Sequence, residues 1–95
     1  MINLEYYNLK IERSKESGEI IIKGEVANKS GRNYTTVAVR IIVFVKNIAI
    51  ANVVILVNGL YSGVTKAFEK NIEDLRYDSI AKDITRYEAY TESAY

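Results

Sequence analysis

Between Tyr34 and Val45 the chain sets Val37, Val39, Ile41, Val43 and Val45 at every second position. A period of two over twelve residues is the pattern of an extended strand that buries one face. A turn at Lys46-Asn47-Ile48 follows, and the return segment Ile48–Val57 is again almost wholly apolar. Its matching inward face is expected to carry Ile50, Val54 and Leu56. With 13 Ile, 9 Val, 5 Thr and 8 Tyr, the chain is rich in side chains that favour strands over helices.

The rest of the sequence repeats the pattern on a shorter scale. Tyr7, Leu9 and Ile11 alternate with Asn8, Lys10 and Glu12. Ile20, Ile22, Gly24 and Val26 share one face of Glu19–Asn28. Polar turns stand at 14–18 and 29–33, Asn58-Gly59 and Ser62-Gly63 punctuate the chain further on, and such residues favour tight backbone geometry. Val64–Ile72, containing Phe68, and Asp83–Thr91, with Ile84, Tyr87 and Ala89, read as the last strands. Six or seven short strands in 95 residues predict one domain, residues 1–95, folded all-β as a two-sheet antiparallel sandwich. Phe68, Ile72 and Leu75 also sit at helical spacing, so one short helix within 67–82 is the alternative for that stretch.

Composition removes whole classes of chemistry. There is no Cys and no His, which excludes disulfides, thiol nucleophiles, imidazole bases and His/Cys zinc sites. A net charge of +1 provides no general attraction to nucleic acid or to acidic membranes. The most apolar stretch, 41–57, is interrupted by Lys46, Asn47 and Asn52, and a spanning helix needs about 20 predominantly apolar residues. No direct membrane insertion is expected. The first fifteen residues lack the basic-then-apolar order of a signal peptide.

Two groups of residues together resemble a known family. Gly24, Val26 and Asn28, followed by a polar turn, Tyr34 and the alternating strand Val37-Val39-Ile41-Val43, are similar to the core of the FxLYD domain. Leu60-Tyr61-Ser62-Gly63 with Phe68, and then ITRYEAYTES, resemble that family's later strands. The likeness spans residues 7–92. It implies an immunoglobulin-like β-sandwich, an extracytoplasmic or cell-envelope setting, no assigned activity and no cofactor.

Other constellations are weighed residue by residue. Glu73, Asp74, Asp78 and Asp83 are the one dense acidic group, readable as a calcium site or a solvated loop; their spacing matches no EF-hand. Ser79-Ile80-Ala81-Lys82 is a Ser-x-x-Lys by letter, with no supporting motif. Catalysis is therefore not expected. Two Asn-x-Ser/Thr sequons begin at Asn28 and Asn33. Tyrosines in turns, such as Tyr34 and Tyr61, suggest a small-ligand or carbohydrate binder as the alternative function.

The hairpin carries the leading hypothesis. If Val39, Ile41 and Val43 point inward, period-two geometry turns Ile42 and Phe44 outward, and on the return strand Ala51, Val53 and Ile55. These five form a candidate partner-binding patch, where a one-sided sheet should be polar. A second copy, a protein partner or the segment 73–82 of the same chain would cover it. A bulge would instead exchange the faces of the return strand, and Asn52 on its supposed core face is the residue that hints at one.

Overall fold

The computed structural model describes residues 3–95, in which six strands form two antiparallel three-stranded sheets. The strands are β1 Leu4–Arg13, β2 Glu19–Asn28, β3 Tyr34–Val45, β4 Ile48–Leu60, β5 Thr65–Arg76 and β6 Arg86–Ala94. The sheet orders are β1-β2-β5 and β4-β3-β6. A single helical turn, α1 (Tyr77–Ile80), and a 3-10 turn at Ala81–Asp83 join β5 to β6. The architecture is all-β and sandwich-like, as expected, with β2 and β3 matching their sequence-derived spans and inward faces.

Ile20, Ile22 and Val26 of β2 meet Val37, Val39, Ile41 and Val43 of β3 across the sandwich, all at 0% exposure. Phe68 and Ile72 of β5 close one side of this core. Gly24 faces Phe68: a Cβ there would lie 2.7 Å from the ring's Cζ. The missing side chain on β2 thus makes room for the largest one on β5. Phe68 also meets Tyr6 edge-on, with centroids 6.4 Å apart and planes at 75°.

Asn28 is the polar member of the core, at 0% exposure. Its Nδ2 donates to the carbonyls of Arg32 (2.7 Å) and Leu60 (2.9 Å). Its Oδ1 accepts from the backbone N–H of Ser30 (2.9 Å) and from the Ser30 hydroxyl (2.6 Å). Its backbone N–H and carbonyl bond Val64 and Gly63, at 2.9 Å each. One side chain therefore ties the 29–33 turn to the 60–64 turn, with every side-chain donor and acceptor paired, as burial of an amide requires.

Bulges account for the places where alternation misleads. In β1 the register slips between Tyr7 and Lys10, at Asn8 with φ 53°. Tyr6 consequently turns inward and Tyr7 outward, reversing the expected side of Tyr7. In β4 the hairpin starts with Val45 opposite Ile48, but Val43 lies opposite Ala51 and Phe44 opposite Ala49, leaving Ile50 as the extra residue. One residue of offset exchanges the faces of everything beyond it. Val53, Ile55 and Val57 face the core and Leu56 is 62% exposed, so Val54 and Leu56 leave the expected inward set, while Ile50, the extra residue, stays partly buried against the core. Without the bulge Asn52 would stand opposite Ile41, an amide in the core with no partner, costing about 1–3 kcal/mol.

The helical spacing in 67–76 is not used. Phe68 and Ile72 are also even-numbered neighbours on one strand face, and pairing with β2 selects that period over the helical one. Helix is confined to the turn after β5, where Tyr77 N–H bonds the Gly18 carbonyl at 3.0 Å and Arg13 pairs with Asp78 at 3.3 Å. The last strand runs 86–94, three residues later than expected.

Candidate interaction surface

The outer face of the β4-β3-β6 sheet is built in rows across β3. Phe44 lies between Ala49 and Arg86, Ile42 between Asn52 and Glu88, Arg40 between Val54 and Tyr90, and Ala38 between Leu56 and Ser93. The Arg86 guanidinium sits 3.8 Å above the Phe44 ring and its Nε pairs with Glu88 at 3.0 Å. Arg40 donates twice to Glu92, at 2.7 and 2.8 Å, and its Nη1 donates to the side-chain Oδ1 of Asn52. The charges on this face are thus spent on one another. Between them Leu56 and Tyr90 stand exposed, and Ile42, Phe44 and Val54 are half-buried.

Of the five residues expected in the patch, Ile42 and Phe44 lie on this face. Ala51, Val53 and Ile55 do not: the β4 bulge turns them inward, and Ile55 is 9% exposed within the core. Val54, Leu56 and Tyr90 take their place. Asn52 was the signal that could have found the first two, because a lone amide in an apolar strand belongs on the wet side. Segment 73–82 does not cover the face, since its helical turn packs beside β1 and β5 of the other sheet.

The outer face of β1-β2-β5 has the opposite character. Lys23 and Lys10 pair with Glu12 at 2.9 and 3.2 Å, and Asn8 donates to Glu25 at 2.5 Å. Lys10, Lys23, Glu25 and Glu69 line a shallow groove of about 350 Å³ there. Tyr34 is a core residue, 5% exposed, and cannot serve as a loop platform; Tyr61 is 54% exposed. The acidic group is dispersed: Asp78 turns to Arg13, and the Asp74 backbone N–H bonds Glu19. Among the described residues, no cluster of three or more acidic side chains could hold a metal ion, and no helix is long and apolar enough to cross a membrane. Asn28 has both amide hydrogens engaged in the core, whereas Asn33 is exposed.

The hydrogen bonds from Arg40 hold the Glu92 carboxyl below its ordinary value of 4.5, opposed by a smaller desolvation effect. A depressed folded value means that the pair's contribution is fully present above the unfolded value and is lost as pH falls through the folded one. Glu92→Gln should therefore flatten the acid limb of stability as pH falls from neutrality through the carboxylate range, read from urea midpoints. Identical pH profiles for parent and variant would remove the pair from the acid response. Glu12, held down chiefly by Lys23, and Glu19, held down chiefly by Asn71, act in the same direction.

No protein-family model, no curated protein and no solved structure matches the chain.

Proposed function

We propose that the chain is a non-catalytic interaction module of immunoglobulin-like type, whose contact surface is the outer face of the β4-β3-β6 sheet. The observation that carries this reading is the contrast between the two outer faces. One carries Lys10, Glu12 and Lys23 in a solvated ion-pair network, with Glu25 and Glu69 beside it. The other presents Leu56, Tyr90, Val54, Ile42 and Phe44 around charges already neutralised by neighbours. A solvated sheet face is ordinarily polar, and contiguous apolar surface marks a place where something binds.

The immunoglobulin-like reading is supported by strand order. With the strands lettered A, B, C, C′, E and F, the sheets are A-B-E and C′-C-F, neighbours that immunoglobulin domains share. The residues behind the FxLYD resemblance also have defined roles, Gly24 admitting Phe68 and Asn28 joining two turns. A cell-envelope setting follows from that resemblance. Fractionation of the source cells tests it, and a species confined to the cytosol would overturn it.

Two tyrosines of similar exposure test the surface itself. Tyr90 (45%) lies on the proposed face and Tyr7 (40%) on the opposite sheet. Hydroxyl-radical labelling in intact source cells, referenced to dilute purified protein, should show protection of Tyr90 and equal labelling of Tyr7. Equal protection of both, or protection of neither, rejects this face as the contact surface.

A further inference from the structure

We infer that β4 is a docking edge for a second copy of this chain, added antiparallel through its free backbone groups; the inference rests on the reading of this protein as an interaction module. The backbone directions are set by β3. Thr36 exchanges both of its hydrogen bonds with Tyr95, at 2.9 and 3.0 Å, and the Phe44 carbonyl accepts from Thr85 at 2.9 Å. Even-numbered residues of β3 therefore address β6, and odd-numbered ones address β4, because main-chain groups alternate along a strand. Opposite the odd residues stand Ala51, Val53, Ile55 and Val57, which complete the ladder. Asn52, Val54 and Leu56 consequently turn their N–H and carbonyl groups away from the sheet. At the next such position, the Asn58 carbonyl is taken by Lys66 Nζ at 2.7 Å, which closes the edge at that end. A groove of about 380 Å³ lined by Val53, Lys70, Asn71, Ile72 and Glu73 lies alongside.

Charge decides the occupant. Open strand edges recruit other strands unless charges, prolines or bulges deter them. The edge strands β1, β5 and β6 carry Glu5, Lys10 and Glu12; Lys66, Glu69, Lys70 and Glu73; and Arg86, Glu88 and Glu92. The strand β4, IAIANVVILVNGL, has no charged residue and no proline over its 13 positions, and its bulge lies at the hairpin end, outside 52–56. Paired with its own copy about a two-fold axis, it sets no like charges opposite each other. With Val54 on the axis, Val54 meets Val54 of the second copy and Asn52 meets Leu56 in both directions. All three positions then exchange both main-chain hydrogen bonds. The two β4-β3-β6 sheets become one six-stranded sheet, and Leu56, 62% exposed in the single chain, gains a neighbour across the seam.

Sedimentation of the whole chain over a concentration series tests this, together with amide exchange. The expected result is a reversible dimer in which the amides of Asn52, Val54 and Leu56 exchange slowly, and quickly on dilution. Val54→Pro removes an N–H that makes no bond to β3, a position where an edge strand tolerates proline. It should weaken the dimer at least about tenfold, equivalent to about 1.4 kcal/mol. Leu56→Lys, on the exposed side of the same edge, should do the same and serves if the proline variant fails to fold. Tyr7→Ser, on the exposed side of the opposite sheet, should leave the dimer constant unchanged. A parent that is monomeric at every concentration, or a dimer indifferent to both edge variants, overturns the inference. Tyr90 protection in cells is read independently, so a monomer with Tyr90 protected would refute self-pairing while leaving the module reading in place.

Discussion

Phe68→Ala should lower stability by about 3–5 kcal/mol, a large part of the roughly 5–15 kcal/mol that holds a domain of this kind together. The ring is 7% exposed and occupies space that β2 leaves open at Gly24. Its neighbours cannot readily collapse into the vacated volume. Gly24 has no side chain to move, and Tyr6 is tethered through its hydroxyl to Thr91 at 2.5 Å across the sandwich. A cavity that stays open adds its own cost to the lost transfer energy. Urea denaturation measures this directly, and a loss under about 1 kcal/mol would show that the site repacks. The complementary change, Gly24→Ala, pushes a methyl against the same ring and should cost about 1–3 kcal/mol as overpacking. Because the two sites touch, Gly24→Ala combined with Phe68→Leu should cost less than the sum of the separate changes.

Asn28→Leu is the second large effect, about 2–4 kcal/mol. The change preserves approximate volume but removes two donors and an acceptor. The Leu60 carbonyl is left buried without its partner, a loss of about 1–3 kcal/mol. The Ser30 and Arg32 groups lie nearer the surface and recover part of theirs from water. Asn28→Asp separates hydrogen bonding from packing. It keeps the acceptor toward Ser30 but aims a carboxylate at the carbonyls of Arg32 and Leu60, so at neutral pH it should be worse than Leu. Calorimetric melting of the two variants checks the order. Equal melting of parent and Asn28→Leu would mean that the two turns are held without this side chain.

The pairing of Gly24 with Phe68 was written in neither strand alone. Each looked ordinary in sequence: a glycine within a strand and an aromatic on another. Their registration opposite each other comes from β2–β5 pairing. Asn28 was visible as part of a motif, but its role depends on Leu60, 32 positions away. The candidate surface was legible in outline. Ile42 and Phe44 follow from the alternation of β3, the longest uninterrupted pattern in the chain. Ala51, Val53 and Ile55 were assigned to the wrong side because a period of two, extrapolated through a hairpin, carries no record of an inserted residue.

Local sequence therefore determined the strand content, the spans of β2 and β3 and the inward faces of both, because burying one side of a strand imposes a period that neighbouring residues alone can express. It also excluded imidazole and thiol chemistry. Tertiary structure decided the faces of β4 and the first half of β1, the preference for strand over helix at 67–76, and the identity of the exposed apolar set. Each of these turns on a bulge or on a pairing with a distant strand. Their energies arise only when the sheets meet: Asn52 must find Arg40, and Val53 and Ile55 must find the core.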